Sequence, residues 1–227
     1  MGKNVILFGA TGNAGGQLLE QSLLDDRISK VTVVSRKTCG IRHQKLVEII
    51  HDNFLDFSTV AEGFKNQDIG FYCLGVSQLQ EKDPKKYEII THDFTIAVAE
   101  MLKKNNSEMT FCFLSGEGAD TSIKSKTLFA RIEGKTENSL INQNFKQLYI
   151  FRPGYIHPIN MKRKKSFLEN VTEVFYPIMK IFTPGIVTTS ENLARVMIHI
   201  GLNGNKKELV VNKEINSINK SISHERI

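Results

Sequence analysis

The sequence predicts an α/β fold, a doubly wound parallel sheet with a small C-terminal lobe, and three observations support this. Apolar strand-like runs alternate with amphipathic helix-like segments through most of the 227 residues. The first run, residues 4–8, ends on Gly9, and a turn of small and polar residues leads into a helix-like segment, 17–24. Several strand-like runs are apolar throughout, as expected for strands covered on both faces. We therefore predict one Rossmann-type domain, residues 1–227, with the lobe formed mainly by 153–190.

Runs rich in β-branched and aromatic residues predict the strands. They are 4–8, 30–35, 46–51, 68–74, 109–114 and 147–152, with a last short strand at 208–212. Helices are predicted at 57–64 and 128–142. Asp83 followed by Pro84 is typical of an N-cap and first helical position, which predicts a helix ending near residue 104.

Beyond Pro153 the alternation is less regular. Ser166 and Glu169 form a capping-box pattern, which predicts a helix ending near Phe182. Thr189 or Ser190 is predicted to cap a helix over 191–202. The polar tail from residue 216 is expected to fray.

The turn after the first strand predicts a dinucleotide site. Glycines there allow a sharp turn and a close approach of a ligand to the backbone. The N-terminus of the following helix suits a pyrophosphate. The strand before the turn and the helix after it provide the context that such a motif requires. The residues predicted to line the turn are Gly9, Thr11, Gly12, Asn13, Ala14 and Gly15.

The residues after the second strand favour NADP(H) over NAD(H). An acidic residue at this place would accept hydrogen bonds from the ribose hydroxyls, whereas this chain has Ser35, Arg36 and Lys37, which suit a 2′-phosphate. Asp52 and Asn53 follow the third strand and are predicted to meet the adenine. The remaining residues predicted beside the cofactor are Leu74, Gly75, Val76 and Pro153.

Composition excludes several other classes. The net charge of +6 comes from 30 basic and 24 acidic residues that are spread along the chain, so we expect no nucleic-acid partner. Three cysteines and six histidines lack metal-ligand spacing, so we expect no metal site. With no signal-like segment and no apolar run near the length of a membrane span, we expect a cytoplasmic protein.

The segment 162–182 leaves two interpretations open. A basic run at 162–165 precedes apolar residues at helical spacing, which is compatible with a helix on a membrane surface. Because the overall charge is modest, we favour a lobe helix that packs on the core. A homodimer or a protein partner also stays open, and the small-molecule substrate is not identified by the sequence.

A series of motifs resembles one family. GATGNAGG after the first strand and SRK after the second are followed by FYCLG, YEIITHDFTIAVAEML, FCFLSGEGAD, FARIEGKTENSL and FRPGYI. In this order they resemble the atypical short-chain dehydrogenase/reductases, most closely the branch that includes the Tat-interacting protein and its bacterial relatives. The resemblance runs from about Lys3 to Leu202. It implies a Rossmann fold, a nicotinamide dinucleotide and hydride transfer.

The resemblance also implies a catalytic set, from which this chain departs. A serine after the fifth strand is matched by Ser115, but Phe129 stands where a tyrosine is expected and Glu133 where a lysine is expected. Phenylalanine has no proton to give, and a carboxylate raises the pKa of a neighbouring acid. Tyr155, after the sixth strand, is the alternative phenol.

Two functions therefore stay open. The first is an NADP(H)-dependent reductase of a small carbonyl or enone, in which Ser115 orients the substrate and Tyr155 or a water supplies the proton. The second is a catalytically silent NADP(H)-binding regulatory or scaffold protein. The departures at residues 129 and 133 favour the second, and the intact glycine turn supports cofactor binding in both. We favour the first, because atypical members of the family often depart from the standard catalytic set.

Overall fold

The computed structural model describes residues 2–159, 176, 183 and 185–224. These residues form a parallel sheet of seven strands with helices on both faces, so the predicted doubly wound α/β fold is confirmed. Along the sheet the strands lie in the order β3, β2, β1, β4, β5, β6, β9. Their bounds are β1 Lys3–Phe8, β2 Ile28–Ser35, β3 Leu46–Ile50, β4 Ile69–Tyr72, β5 Thr110–Leu114, β6 Gln147–Arg152 and β9 Leu209–Val211.

Two short strands form a separate parallel pair. β7 (Tyr155–His157) pairs with β8 (Val187–Thr189) and belongs to the predicted lobe. The helices are α1 Asn13–Leu24, α2 Pro84–Glu88, α3 Phe94–Asn105, α4 Leu128–Asn142, α5 Ser190–Asn203 and α6 Asn212–His224, with a 3₁₀ helix at Ser58–Phe64. The basic run 162–165 and the helix predicted over 166–182 lie outside the described residues, apart from Tyr176.

The core has two layers because side chains alternate along each central strand. On β1, Val5 and Leu7 join a cluster that α1, α5 and α6 cover, while Ile6 and Phe8 join a cluster beneath α3 and α4. Burial on both faces explains why the predicted strand runs are apolar without alternation.

Predicted bounds agree closely where caps and strand ends are marked in the sequence. α4 and β6 have the predicted bounds, and the Asp83 carboxylate accepts a hydrogen bond from the N–H of Lys85 at the start of α2. Between α2 and α3 the helix widens into a π-helical turn, Ile89–Asp93, which the sequence did not predict.

The prediction of a frayed tail from Asn216 is wrong. α6 continues to His224, and Ile215 and Ile222 on it are buried. Asn216 donates from Nδ2 to the carbonyl of Val187 (2.9 Å), which connects the helix to β8. The reason is the spacing of Ile215, Ile218 and Ile222, which gives a polar segment one apolar stripe.

Within the described ranges, no helix is long and apolar enough to cross a membrane. No group of histidine, cysteine, aspartate or glutamate side chains in these ranges could hold a metal ion.

Candidate functional site

The glycine turn after β1 is tightly packed. Gly9 has a φ of +85°, and a β-carbon on it would lie 2.5 Å from the carbonyl carbon and oxygen of Cys73. A β-carbon on Gly15 would lie 2.2 Å from the carbonyl oxygen of Gly9. A residue with a side chain therefore fits at neither position, and the turn presents bare backbone at the carboxyl end of β1.

The start of α1 offers hydrogen-bond donors. The N-cap residue, Gly12, donates its N–H to the carbonyl of Gly9 (2.9 Å). As a glycine it has no side chain that could cap the helix. Across the described part of the chain, no hydrogen bond satisfies the N–H groups of Asn13, Ala14 and Gly15. The Oδ1 atom of Asn13 is buried without a partner there. The three N–H groups lie at the positive end of the helix dipole and fit a dinucleotide pyrophosphate. The unpaired amide oxygen of Asn13 beside them fits the groups attached to that pyrophosphate.

The loop after β2 presents two cations. Ser35 is buried and donates its hydroxyl to the carbonyl of Lys37 (2.6 Å), so it shapes the turn. Arg36 and Lys37 are exposed, and neither side chain makes a hydrogen bond or ion pair within residues 2–159 and 185–224. Glu48 on β3 holds the same loop through the N–H of Cys39 (2.6 Å), and this bond lowers the pKa of the Glu48 carboxyl. The sequence did not single out Glu48.

The other predicted cofactor residues lie at the same edge of the sheet, since each follows a parallel strand. Asp52 and Asn53 are exposed. The side chain of Asn53 makes a local hydrogen bond, in which its Oδ1 accepts from the N–H of Leu55 (3.2 Å). After β4, Gly75 is exposed, while Leu74 and Val76 are half-buried. Thr11 and Gly12 are exposed at the glycine turn.

Ser115 belongs to a buried polar network at the ends of β5 and β6. Its Oγ donates to Oε1 of Glu137 on α4 (2.6 Å). Arg152 at the end of β6 binds the same carboxylate with two nitrogens, Nε to Oε1 at 2.8 Å and Nη2 to Oε2. Glu137 is 1% exposed, so this is a bidentate ion pair in the interior. Neither Glu137 nor Arg152 stood out in the sequence as a site residue.

Glu133 lies one turn before Glu137 on α4. Burial raises the pKa of its carboxyl to about 8, a hydrogen bond with Ser115 opposes this rise, and the charge of Glu137 adds to it. Its Oε2 atom is buried with no partner among the described residues. The carboxyl of Glu133 is therefore harder to ionise than an ordinary glutamate carboxyl.

Phe129 fills the place of the expected tyrosine. A β-carbon on Gly116 would lie 2.7 Å from Cζ of its ring, so the ring packs directly on the loop after Ser115. Lys135 points elsewhere and pairs with Glu88 (2.6 Å). No side chain of this stretch of α4 therefore supplies the expected phenol and ammonium.

Pro153 and Tyr155 follow β6 in different environments. Pro153 is buried, and its carbonyl accepts from the N–H of Glu117 (2.9 Å), which joins the loops after β5 and β6. Tyr155 is half-buried and donates its backbone N–H to Ile186 (2.9 Å) within the β7–β8 pair. Its ring centre lies 6.4 Å from that of His157.

Comparison with known proteins gives distant relatives. No protein-family model matches the chain. It is 29% identical over 157 residues to the protein HTATIP2 of Rattus norvegicus, a match that covers 68% of this chain and 63% of the rat protein. It is 25% identical over 228 residues to the mitochondrial protein FMP52 of Saccharomyces cerevisiae, covering 96% of this chain and 97% of the yeast protein.

Solved structures share the fold. A short-chain dehydrogenase from Burkholderia cenocepacia in complex with NADP superposes with a TM-score of 0.69 at 13% identity, covering 99% of this chain and 94% of that one. The enzyme WbmF of Bordetella bronchiseptica in complex with NAD⁺ gives 0.68 at 14% identity, with coverages of 99% and 79%. At these identities the likeness shows the fold alone.

The resemblance to the Tat-interacting-protein-like, atypical short-chain dehydrogenase/reductases is confirmed. The homologues are HTATIP2 and FMP52, and the structural neighbours are Rossmann-fold NAD(P)-binding proteins. The expectation of a cytoplasmic protein is contradicted, because the FMP52 relatives of yeast and other fungi are named as mitochondrial. The sequence reasoning relied on the lack of a signal-like segment and an apolar span, which does not distinguish these compartments.

Proposed function

We propose that this relative of HTATIP2 and FMP52 binds NADP(H) and reduces a small carbonyl or enone substrate. The observation that carries the proposal is the glycine turn, in which Gly9 and Gly15 leave no room for a β-carbon and the N–H groups at the start of α1 are unsatisfied. Such a turn at the carboxyl end of the first strand is where a Rossmann fold accepts a pyrophosphate. The phosphate would lie on Thr11, Gly12 and the first turn of α1.

The preference for NADP(H) rests on the loop after β2. Arg36 and Lys37 are exposed at the strand end where a ribose 2′-hydroxyl or 2′-phosphate is recognised. A carboxylate at this place would repel a phosphate, and two cations attract it. Glu48 fixes the loop from the side of β3, so the cations project from a defined backbone.

The reductase function rests on the network at Ser115. A bound dinucleotide supplies a hydride at the carboxyl edge of the sheet, where Ser115 and Arg152 lie at the ends of β5 and β6. Arg152 holds Glu137, and Glu137 accepts the hydrogen bond of the Ser115 hydroxyl, which would turn from Glu137 to the oxygen of a carbonyl substrate and orient it.

A specific observation favours the second candidate, a catalytically silent NADP(H)-binding regulatory or scaffold protein. The ring of Phe129 packs on Gly116 where the family places its tyrosine. In this alternative, cofactor occupancy would alter a surface for a protein partner. Both candidates require NADP(H) binding and differ in turnover.

The test is calorimetric titration of the purified chain with NADPH, NADP⁺, NADH and NAD⁺. The proposal expects binding that is selective for the two phosphorylated cofactors. Binding followed by loss of NADPH absorbance with a carbonyl or enone acceptor supports the reductase, and binding without any turnover supports the silent alternative. If none of the four nucleotides binds, both are wrong.

A further inference from the structure

The buried network at Ser115 contains two carboxylates and one guanidinium. Arg152 is committed to Glu137, which it holds through both oxygens. The nearest lysine on α4, Lys135, pairs with Glu88. Within the described residues, Glu133 thus has no cation of its own. Glu137 is buried and Glu133 is half-buried. Two neighbouring carboxylates that are largely removed from water and share one cation cannot both be ionised at low cost, so one of them keeps its proton.

The charge of Arg152 lowers the pKa of Glu133, and the other elements around Glu133 add no positive charge within the residues that the structure describes. β4 contributes Tyr72, α2 contributes Tyr87, and the loop after β5 contributes Ser115. Burial raises the pKa of Tyr87 to about 12 and moves that of Tyr72 further upward, and the charge of Glu133 adds to both shifts. Both phenols are neutral at physiological pH. Of Glu133 and Glu137, the one that retains the proton is Glu133, because Glu137 has the bidentate arginine.

Glu133 lies beside Ser115, at the edge of the sheet where the cofactor is proposed to bind. Its carboxyl contacts the hydroxyl of Ser115, at the carboxyl end of β5. Gly9 lies at the same end of β1, and only β4 separates the two strands. Since adjacent strands are about 4.8 Å apart, Ser115 is about 10 Å across the sheet edge from the glycine turn. That separation is shorter than the length of an extended dinucleotide. Among the described residues, Oε2 of Glu133 has no hydrogen-bond partner.

We propose, resting on the function proposed above, that Glu133 is the proton donor of this site, in place of Tyr155 or a water molecule. When a hydride is added to the carbonyl carbon of a substrate, the electron pair of the C=O bond moves to the oxygen. That oxygen takes the proton from the Glu133 carboxyl, which becomes a carboxylate. The carboxylate regains a proton from water once the product has left. Ser115 turns its hydroxyl from Glu137 to the substrate oxygen and holds that oxygen beside Glu133, while Arg152 stays with Glu137.

The first experiment measures the proton itself. Infrared spectra of the full chain contain a C=O stretching band for each protonated carboxylic acid. We expect a band that persists at neutral pH, titrates near pH 8 and is missing in Glu133→Gln. Glu108→Gln is the matched control, because Glu108 is an exposed carboxylate that pairs with Lys146. The band should be unchanged in that variant. A Glu133 that is ionised at neutral pH would overturn the proposal.

The second experiment measures binding and turnover separately. Glutamine keeps the size of Glu133 and a hydrogen-bond donor but cannot release a proton. We expect Glu133→Gln to bind NADPH within about threefold of the wild type. Its kcat for reduction of benzaldehyde or cyclohexenone should fall at least about 100-fold, with Glu108→Gln unaffected. A kcat in Glu133→Gln equal to that of the wild type contradicts the proposal. If the wild type binds no NADPH, the proposed function fails, and the infrared titration still decides whether Glu133 carries the proton.

Discussion

Gly15 lies against the carbonyl of Gly9 so closely that a β-carbon on residue 15 would stand 2.2 Å from that oxygen. The next residue along α1, Gly16, is in a different position. A β-carbon there would lie 3.4 Å from the carbonyl oxygen of Ala10, an ordinary contact. Alanine variants of these two neighbouring glycines therefore distinguish an effect of the tight turn from the general effect of replacing a glycine.

We expect Gly15→Ala to weaken NADPH binding at least about tenfold, since the turn must open by more than 1 Å to admit the methyl group. Gly16→Ala is the control and should leave binding unchanged, with a gain in stability of about 0.5 kcal/mol from the lower backbone entropy of the unfolded chain. Calorimetric titration and thermal unfolding measure the two effects. Equal affinities in the two variants would contradict the assignment of the turn to the pyrophosphate.

Charge reversal after β2 tests the choice of cofactor. Arg36→Asp should lower the affinity for NADPH at least about tenfold more than the affinity for NADH, because only the former has a 2′-phosphate to repel. Lys206→Asp has the same change in charge at an exposed position before β9, at the opposite edge of the sheet. It should leave both affinities as they are. Equal losses for the two cofactors in Arg36→Asp would exclude the phosphate assignment.

The raised pKa of Glu133 predicts how stability depends on pH. The folded state keeps a proton up to a pKa of about 8, whereas the unfolded chain loses it near the ordinary value of 4.5. The proton on Glu133 therefore stabilises the folded state fully below pH 4.5, and this stabilisation is lost as the pH rises through about 8. Between them, the unfolding free energy of the wild type should fall relative to that of Glu133→Gln by at most about 1.4 kcal/mol per pH unit. Urea unfolding across this range measures it, and parallel curves would show that Glu133 is not protonated.

The ion pair between Glu137 and Arg152 predicts a large cost for removing one partner. Glu137→Gln leaves a largely buried guanidinium without its carboxylate, and we expect a loss of about 3 kcal/mol in unfolding free energy. The same variant removes the charge of Glu137, which raises the pKa of Glu133, and keeps that of Arg152, which lowers it, so the infrared acid band of Glu133 should titrate at a lower pH. Glu108→Gln, which breaks an exposed pair, should cost less than about 1 kcal/mol. A similar small cost in both variants would mean that the buried pair contributes little.

Helix α6 gives a prediction for the tail. Ile215 is fully buried against the sheet, so Ile215→Ala should cost about 3 kcal/mol. Ser217, two residues on, is exposed, and Ser217→Ala should change the stability by less than about 0.5 kcal/mol. Urea unfolding of both variants measures the difference. A frayed tail would give no cost in either.

The sequence predicted the sheet well because a strand buried on both faces is an uninterrupted apolar run. β6 and α4 have their predicted bounds, and the cap at Asp83 was recognised from the proline that follows it. Helix α6 was not predicted because most of its residues are polar, although Ile215, Ile218 and Ile222 form an apolar stripe. The three-and-four spacing of those isoleucines was the available signal.

The candidate site was only partly predictable. The glycine turn could be predicted because its requirement is local, and a β-carbon at Gly9 or Gly15 would meet backbone. The network of Ser115, Glu137 and Arg152 could not be predicted, because it joins the ends of two strands to the middle of a helix. Glu133 appeared in the sequence only as a departure from a family pattern. Its environment became apparent when the fold showed that Arg152 is already engaged.

The π-helical turn at Ile89–Asp93 has a consequence for insertions and deletions. Tyr87, Thr91 and Thr95 are all buried at intervals of four residues, and the wider turn keeps them on one face. Because a π-helical turn takes about one residue more than an α-helical turn, removing one residue there would restore a regular helix and leave α2 in nearly the same rotation relative to α3, so Tyr87 would stay beside Glu133. A point substitution at the partly exposed Ile89 also leaves the rotation of α2 relative to α3 unchanged. In a lineage of such chains, this turn is therefore a place where the helix can lose one residue without redirecting the side chains on either side of it.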